Sequence, residues 1–159
     1  MKKILRITII FTLIIIGVSF IILKSMIPLS VGAIAYSGDR KVVVVEVGNK
    51  MKFGDIQVES ILINNDDEPK TTKIQVSNLG KGFTVGDDKE NEIIFRDLHA
   101  FHLPYNTDPQ KRLDRVNEGT ATKKEKIYAV TVWDNKEIDK VIVKYRYFCM
   151  EYEEEITIN

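Results

Sequence analysis

The feature that most constrains this chain is an uncharged run of seventeen residues, ITIIFTLIIIGVSFIIL, at positions 7–23 between Arg6 and Lys24. As a helix this run would be about 25 Å long, close to the roughly 30 Å of a bilayer's hydrocarbon core. Its two threonines and one serine are too few and too mildly polar to form the hydrophilic stripe of a soluble helix. Residues 7–27 are therefore predicted to form a transmembrane helix that contacts the lipid bilayer.

Charges on either side of the run predict its orientation. Three basic residues stand at positions 2, 3 and 6, and no acidic residue occurs before Asp39. Positive charge is retained on the cytoplasmic side of a membrane, so the N-terminus is expected inside and the C-terminus outside. This gives a cytoplasmic N-terminus (residues 1–6), a linker (28–40) and an extracytoplasmic domain (41–159).

A cleavable signal peptide is the alternative to a retained anchor. Ala33-Ile34-Ala35 has the small-residue spacing of a cleavage site, which would give secretion after a cut near Ala35. Two features favour retention. The apolar run is longer than the roughly 7 to 15 residues of a signal peptide, and Lys24 separates it from the candidate site. A single-pass cell-membrane protein is therefore the leading prediction.

The charge balance excludes one class of partner. Taking the four basic residues before position 36 from the total of 23 leaves 19 against 23 acidic residues, a net charge of −4 for the rest of the chain. Nucleic-acid binding needs clustered Lys and Arg, so no nucleic-acid partner is expected. The single cysteine, Cys149, cannot form an intramolecular disulfide and is expected to be a packed or half-buried thiol, the alternative being a reactive or intermolecular one.

From residue 41 onward the pattern indicates β-strands. Runs of β-branched or alternating residues, bounded by Gly, Pro, Asn and Asp, predict strands at residues 42–47, 56–63, 72–78, 83–85, 92–98, 125–134 and 140–148. One short helix is expected where Asp108 and Pro109 occupy N-cap and first helical positions.

The last two strands are predicted to form a hairpin. Apolar residues occupy odd positions in residues 140–148 and even positions after Met150, and one strand cannot keep both sets on the same face. A turn at Cys149 and Met150 is therefore expected, although a bulge in one long strand is the alternative. The turn would pair Tyr147 with Tyr152, Val143 with Ile156 and Val141 with Ile158, and, outside, Arg146 with Glu153 and Lys144 with Glu155.

Seven to nine short strands in about 120 residues favour a mainly β fold, an antiparallel β-sandwich with immunoglobulin-like connectivity. The start MKKILR, the apolar run, the strand region VVVVEVGNKMKFGDIQVES and the tail YRYFCMEYEEEITI resemble small single-pass membrane-anchored surface proteins of Gram-positive bacteria. The resemblance implies an anchor and a sandwich and carries over no functional residue.

Candidate site residues are few. His99 and His102 beside Asp97 could ligate a metal if they lay on a helix, but the stretch DLHAFHLPY indicates a strand entering a loop, so no metal and no cofactor are expected. Hydrolase, phosphate-loop and dinucleotide motifs do not occur, which argues against an enzyme.

Loops are the better candidates for binding. Polar loops at residues 64–70, 86–92 and 99–108 are long enough to contact a partner, and the acidic pairs in the first two do not fit a calcium-binding loop. The candidate binding residues are Asp66, Asp67, Asp87, Asp88 and the turn-flanking aromatic Trp133.

These observations predict a non-catalytic, membrane-tethered interaction module that binds a protein partner at the cell surface or in the membrane. One alternative is an accessory protein of a membrane complex, of the immunity or exclusion type. The other is a metal-dependent hydrolase centred on His99 and His102.

Overall fold

The computed structural model describes residues 2–86 and 93–159. Within these residues it contains two helices and nine strands. In chain order they are α1 Lys2–Ser25, β1 Leu29–Tyr36, β2 Val42–Asn49, β3 Ile56–Ile63, β4 Thr71–Asn78, β5 Ile94–Arg96, β6 His102–Leu103, α2 Pro109–Asn117, β7 Lys126–Trp133, β8 Lys140–Tyr147 and β9 Met150–Thr157.

The strands form two antiparallel sheets around one core, which confirms the mainly β prediction. The five-stranded sheet has the order β1-β2-β7-β4-β5, and the four-stranded sheet has the order β6-β3-β8-β9. Alternate residues point into the core, because successive side chains of a strand face opposite sides. Val43, Val45 and Val130 come from the first sheet, and Ile61 and Val143 from the second.

The outer face of the five-stranded sheet is also largely covered. Helix α2 packs against β1 and β2, and the Gln75 side chain bonds to Thr84 and to Thr131 on this face. Gln75 and Thr131 are fully buried there. Helix α2 and the segment around Thr84 thus cover parts of this outer face.

The predicted linker at residues 28–40 is wrong, because most of it is strand β1. This strand pairs with β2 from Leu29 opposite Asn49 to Tyr36 opposite Val43, with an irregularity in the middle. Leu29 is only 2% exposed and belongs to the core. The β domain therefore begins at Leu29, twelve residues before the expected boundary at Lys41, and only three residues separate it from α1.

The C-terminal hairpin is confirmed, but its predicted register is wrong by two residues. Tyr145, rather than Tyr147, lies opposite Tyr152. The shift preserves which face each side chain occupies, so the expected inner and outer sets are correct. The two turn residues are Phe148, with φ of +53°, and Cys149. Cys149 is exposed at this turn, contrary to the expectation of a packed thiol.

Smaller differences concern the middle of the chain. Residues 83–85 are not a strand, because the backbone of Thr84 bonds to the side chain of Gln75 instead of to a neighbouring strand. Of the expected strand at residues 92–98, the described residues 93–98 contain β5. Helix α2 is confirmed, with Asp108 at its N-cap accepting a hydrogen bond from the Gln110 amide.

Candidate functional site

A cleft lies at the end of the five-stranded sheet remote from α1. Its volume is about 490 Å³. We call it the Trp133 cleft, and its lining residues are Lys41, Val42, Lys70, Thr71, Lys73, Phe95, Trp133, Asp134 and Asn135. Because β1 and β2 meet next to α1 at Leu29 and Asn49, the opposite end of β2, where Val42 lies opposite Trp133, is the far end of the domain.

Two aromatic rings form one wall of the cleft. Trp133 is the last residue of β7 and points outward, because the preceding Val132 points into the core. Phe95 of β5 lies opposite Gln75 of β4, which places its ring on the same outer face. The ring centroids are 5.9 Å apart and the planes are tilted by 51°. The two rings together offer an apolar surface on which a flat group can stack.

Three lysines surround this wall. The Lys73 ammonium lies 2.6 Å from an Asp97 carboxylate oxygen, and that hydrogen bond lowers the pKa of Asp97. The Lys70 ammonium lies 3.4 Å from the Asn135 side-chain oxygen, and Lys41 pairs with the carboxylate two residues before it. Exposed pairs of this kind are weak because solvent screens them, so an incoming anion can compete for these ammonium groups.

The carboxylate of Asp134 is hydrogen-bonded to backbone amides. It accepts hydrogen bonds from the amides of Lys136 and Lys70, at 2.9 and 3.0 Å. The Lys136 bond is the main cause of the lowered pKa of Asp134, and burial opposes it. This aspartate thus holds the β7–β8 loop against the start of β4, and the lining of the cleft contains three lysines and this one carboxylate.

The chemistry of the cleft follows from its lining residues. Its lining contains no histidine, cysteine or serine among the residues that the structure describes. It combines an apolar aromatic wall with ammonium groups, which suits a ligand that carries an anionic group beside a flat or apolar one. Of the candidate binding residues named from the sequence, Trp133 lines this cleft, and the candidate loop at residues 64–70 contributes Lys70.

The histidine cluster is not assembled as a metal site. His99 and His102 are exposed, and His102 of β6 lies opposite Gln57 of β3. Asp97 is bonded to Lys73. In the described part of the chain, no three His, Cys, Asp or Glu side chains form a group that could hold a metal ion.

The acidic loop residues have local roles. Asp67 exchanges two backbone hydrogen bonds with Ile63, and its carboxylate is 3.5 Å from the Lys136 ammonium. Asp66 is exposed in the same turn, with φ of +66°. Asp87 and Asp88 lie outside the described residues.

A buried ion pair beneath α2 was missed by sequence reasoning. Glu46 and Arg112 are bonded to each other, with side chains 10% and 7% exposed, and Glu46 also accepts the Ala33 amide at 2.9 Å. Burial lowers the pKa of Arg112. The signal was one acid inside the apolar run VVVVEV, which requires a buried cation nearby. The pair fixes α2 on the sheet.

No pattern in the sequence indicates that the other residues of the Trp133 cleft lie close together. Phe95, Lys41 and Lys73 come from separate segments, and only the pairing of β2, β7, β4 and β5 brings them together.

Comparison with family models, with curated proteins and with solved structures finds no match to this chain.

Proposed function

We propose that this chain is a single-pass membrane protein whose two-sheet domain faces the cell exterior and binds a partner without catalysis. One observation carries the proposal. The stretch Thr8–Ser25 of α1 is long and apolar enough to cross a membrane, and its described side chains are not buried against the domain. Exposed apolar surface of this extent is unstable in water and stable among lipid chains.

The flanking charges support an N-terminus in the cytoplasm. Basic residues at positions 2, 3 and 6 precede the span, and Lys24 alone follows it before the domain begins. The position of β1 supports a retained anchor. A cut after Ala35 would remove seven of the eight residues of β1, including the buried Leu29.

The strand order supports an immunoglobulin-like arrangement for the domain. With β5, β6 and α2 counted as an insertion, β1-β2-β7-β4 and β3-β8-β9 follow the order of a constant-type immunoglobulin domain. Domains of this architecture bind through loops and strand ends. This arrangement is also what the likeness to anchored Gram-positive surface proteins implies.

We assign partner binding to the Trp133 cleft. The partner is a protein segment that presents an acidic side chain beside an apolar or aromatic one. Tryptophan is enriched among the residues that dominate interface energetics, and Trp133 stands beside Lys73 and Phe95. The cleft lies at the end of the domain away from α1, where a partner can reach it.

Topology is tested with a tag placed after Asn159. Protease added to intact cells should remove the tag, and the chain should remain in the membrane fraction after alkaline carbonate washing. A tag that is cleaved only after lysis, or a chain released by carbonate, would contradict the proposal.

Partner binding is tested with a photo-crosslinking amino acid at position 135 in intact cells. Adducts should form there and be lost on Trp133→Ala, because the aromatic wall is removed. The control position is 153, on β9 of the other sheet. Adducts that survive Trp133→Ala, or that form equally at position 153, would place binding elsewhere.

A further inference from the structure

We propose that the end of the domain next to α1 inserts two aromatic side chains, Phe53 and Phe148, into the outer headgroup layer of the bilayer that α1 crosses. The inference rests on the transmembrane role of α1 given above. We call Phe53 and Phe148 the membrane-side pair. Their ring centroids lie 6.2 Å apart.

The backbone places the pair at the α1 end. The Lys50 amide donates to the Pro28 carbonyl at 3.1 Å, so the β2–β3 loop that contains Phe53 begins beside the chain leaving α1. The Tyr147 hydroxyl donates to the Phe53 carbonyl at 2.7 Å, which holds this loop against the end of β8. Phe148 follows directly in the β8–β9 turn.

Contacts with α1 give the depth of the turn. The Tyr152 hydroxyl donates to the Leu23 carbonyl at 2.7 Å. Three residues earlier, Cys149 lines a shallow cleft with Phe20 and Lys24 of α1. The turn therefore lies beside the C-terminal part of α1, between Phe20 and Lys24. Because the uncharged run ends at Leu23, this is the boundary between lipid chains and headgroups.

Phe148 is an unusual residue for its place. Its φ of +53° is a conformation that glycine or asparagine adopts more readily, and its side chain is 52% exposed. Phe53 is 64% exposed. Gly54 makes room for the turn, because a Cβ there would lie 3.0 Å from the Tyr147 ring and 3.1 Å from the Phe148 ring. A strained backbone that displays an exposed ring indicates a function for that ring.

The surrounding charges suit a headgroup layer. Lys50 and Lys52 flank the loop of Phe53, and Lys24 lies beside the turn, whereas Asp55 and Glu151 are the acidic residues nearest in sequence to the pair. Lysines with long stems and aromatic rings are typical of membrane interfaces. The apolar rings supply the attraction, and the lysines reach the phosphates.

Two rings suffice because α1 already holds the domain at the membrane. Insertion is then an intramolecular step at high effective concentration, and weak individual contacts become significant. Its consequence is a fixed orientation of the domain on the bilayer.

Cys149 provides the test, because it is the only cysteine of the chain and is exposed in the turn itself. The full-length chain, labelled at Cys149 with an environment-sensitive fluorophore, is placed in phosphatidylcholine vesicles with nitroxide-bearing lipids. We expect blue-shifted emission and quenching by the lipid nitroxides. The matched control is Cys149→Ser with Gly38→Cys, at the opposite end, where an added Cβ meets no atom within 4 Å. Its label should respond only to a water-soluble quencher.

The double substitution Phe53→Ser with Phe148→Gly removes both rings, and glycine accepts the positive φ. Lipid quenching at Cys149 should be lost, whereas Tyr36→Ser, which removes an exposed aromatic at the other end, should leave it unchanged. If the chain floats with the vesicles but Cys149 is quenched only from water, the inference is overturned and the transmembrane role stands. The same holds if quenching appears only when a second protein is added, which would make the pair a protein contact. If the chain does not float, the transmembrane role fails as well.

Discussion

At the residue scale, the ion pair of Glu46 and Arg112 couples the β-sheet to the helix above it. Both side chains are almost fully buried, and the Glu46 carboxylate also accepts the Ala33 amide of β1. Two buried opposite charges that satisfy each other add little net stability, but removal of one leaves the other unpaired. The pair therefore determines where α2 packs more than how stable the domain is.

Arg112→Met should destabilise the domain by about 3 to 5 kcal/mol, because Glu46 would remain charged without its cation. Adding Glu46→Gln should recover a large part of this loss. Urea unfolding of the full-length chain in detergent micelles measures both effects. The control is Arg115→Met, which breaks a more exposed pair with Glu125 and should cost about 1 kcal/mol or less. Equal losses of unfolding free energy in Arg112→Met and Arg115→Met would contradict the special role of the buried pair of Glu46 and Arg112.

Tyr145 makes stability sensitive to alkaline pH. Burial raises its pKa from 10.0 to about 12, and the Leu29 amide donates to its hydroxyl at 3.5 Å. The folded chain thus keeps the hydroxyl neutral where the unfolded chain ionises. Burial of the neutral hydroxyl thus makes a pH-dependent contribution of about 2 to 3 kcal/mol to the free energy of unfolding. This contribution is fully present below pH 10 and is lost as the pH rises through 12.

Thermal unfolding at pH 9 and pH 11.5 measures this dependence. The difference in stability between the two pH values should be smaller for Tyr145→Phe than for the wild type. Tyr105→Phe, at an exposed position, should keep the wild-type difference. An unchanged difference in Tyr145→Phe would show that other groups cause the alkaline loss.

At the scale of elements, β1 is the strand on which the N-terminal border of the domain depends. It contributes Leu29 to the core and pairs along β2. A chain shortened to begin at Pro28 should fold, whereas one that begins at Tyr36 should not, because it loses the core leucine and exposes the edge of β2. Circular dichroism and thermal melts distinguish the two. A cooperative transition in the shorter chain would contradict this and would make cleavage near Ala35 compatible with a folded product.

Strands that are rich in β-branched residues or alternate strictly could be predicted from the sequence. The predicted strand at residues 56–63 matches β3, and the boundaries predicted for β2, β7 and β8 are correct to within two residues. LSVGAIAY was missed because an edge strand with a glycine and an irregular register shows no clean alternation. Two-residue β6 is too short to carry a pattern.

The hairpin register was mispredicted for a different reason. Turn preferences argue against a large aromatic residue at positive φ, yet Phe148 occupies that position. Of the candidate site, the sequence identifies Trp133 and the loop that ends at Lys70. The partners of Trp133, which are Phe95 and Lys73, depend on which strands are neighbours, and local patterns do not contain that information.

At the scale of the whole molecule, α1 and the β domain are joined closely. Three residues connect them, Leu23 packs against the core, and the Tyr152 hydroxyl bonds to the Leu23 carbonyl. The Leu23 carbonyl, in the last turn of α1, accepts this bond together with one from the Met26 amide at 3.1 Å. The direction of the domain relative to the helix is therefore set by the fold.

Tyr152→Phe should loosen this junction. Spin labels at Gly17→Cys and Gly38→Cys in a Cys149→Ser background should give a narrow distance distribution in lipid vesicles, and Tyr152→Phe should broaden it. Neither added Cβ meets an atom within 4 Å. Tyr36→Phe is the matched control, since it also removes a hydroxyl bonded at 2.7 Å to a carbonyl, that of Asn159. Equal widths in all three chains would show that the hydroxyl does not hold the helix.

The short passage from α1 to β1 also limits what the Trp133 cleft can meet. A strand of eight residues is about 26 Å long. With α1 in the membrane as proposed, the cleft lies roughly that far from the lipid surface. It cannot move much farther away, because the three residues between α1 and β1 are too few to form a long flexible linker. The proposed partner would then have to display its acidic group at about this distance from the membrane, so the proposed binding would select by distance as well as by chemistry.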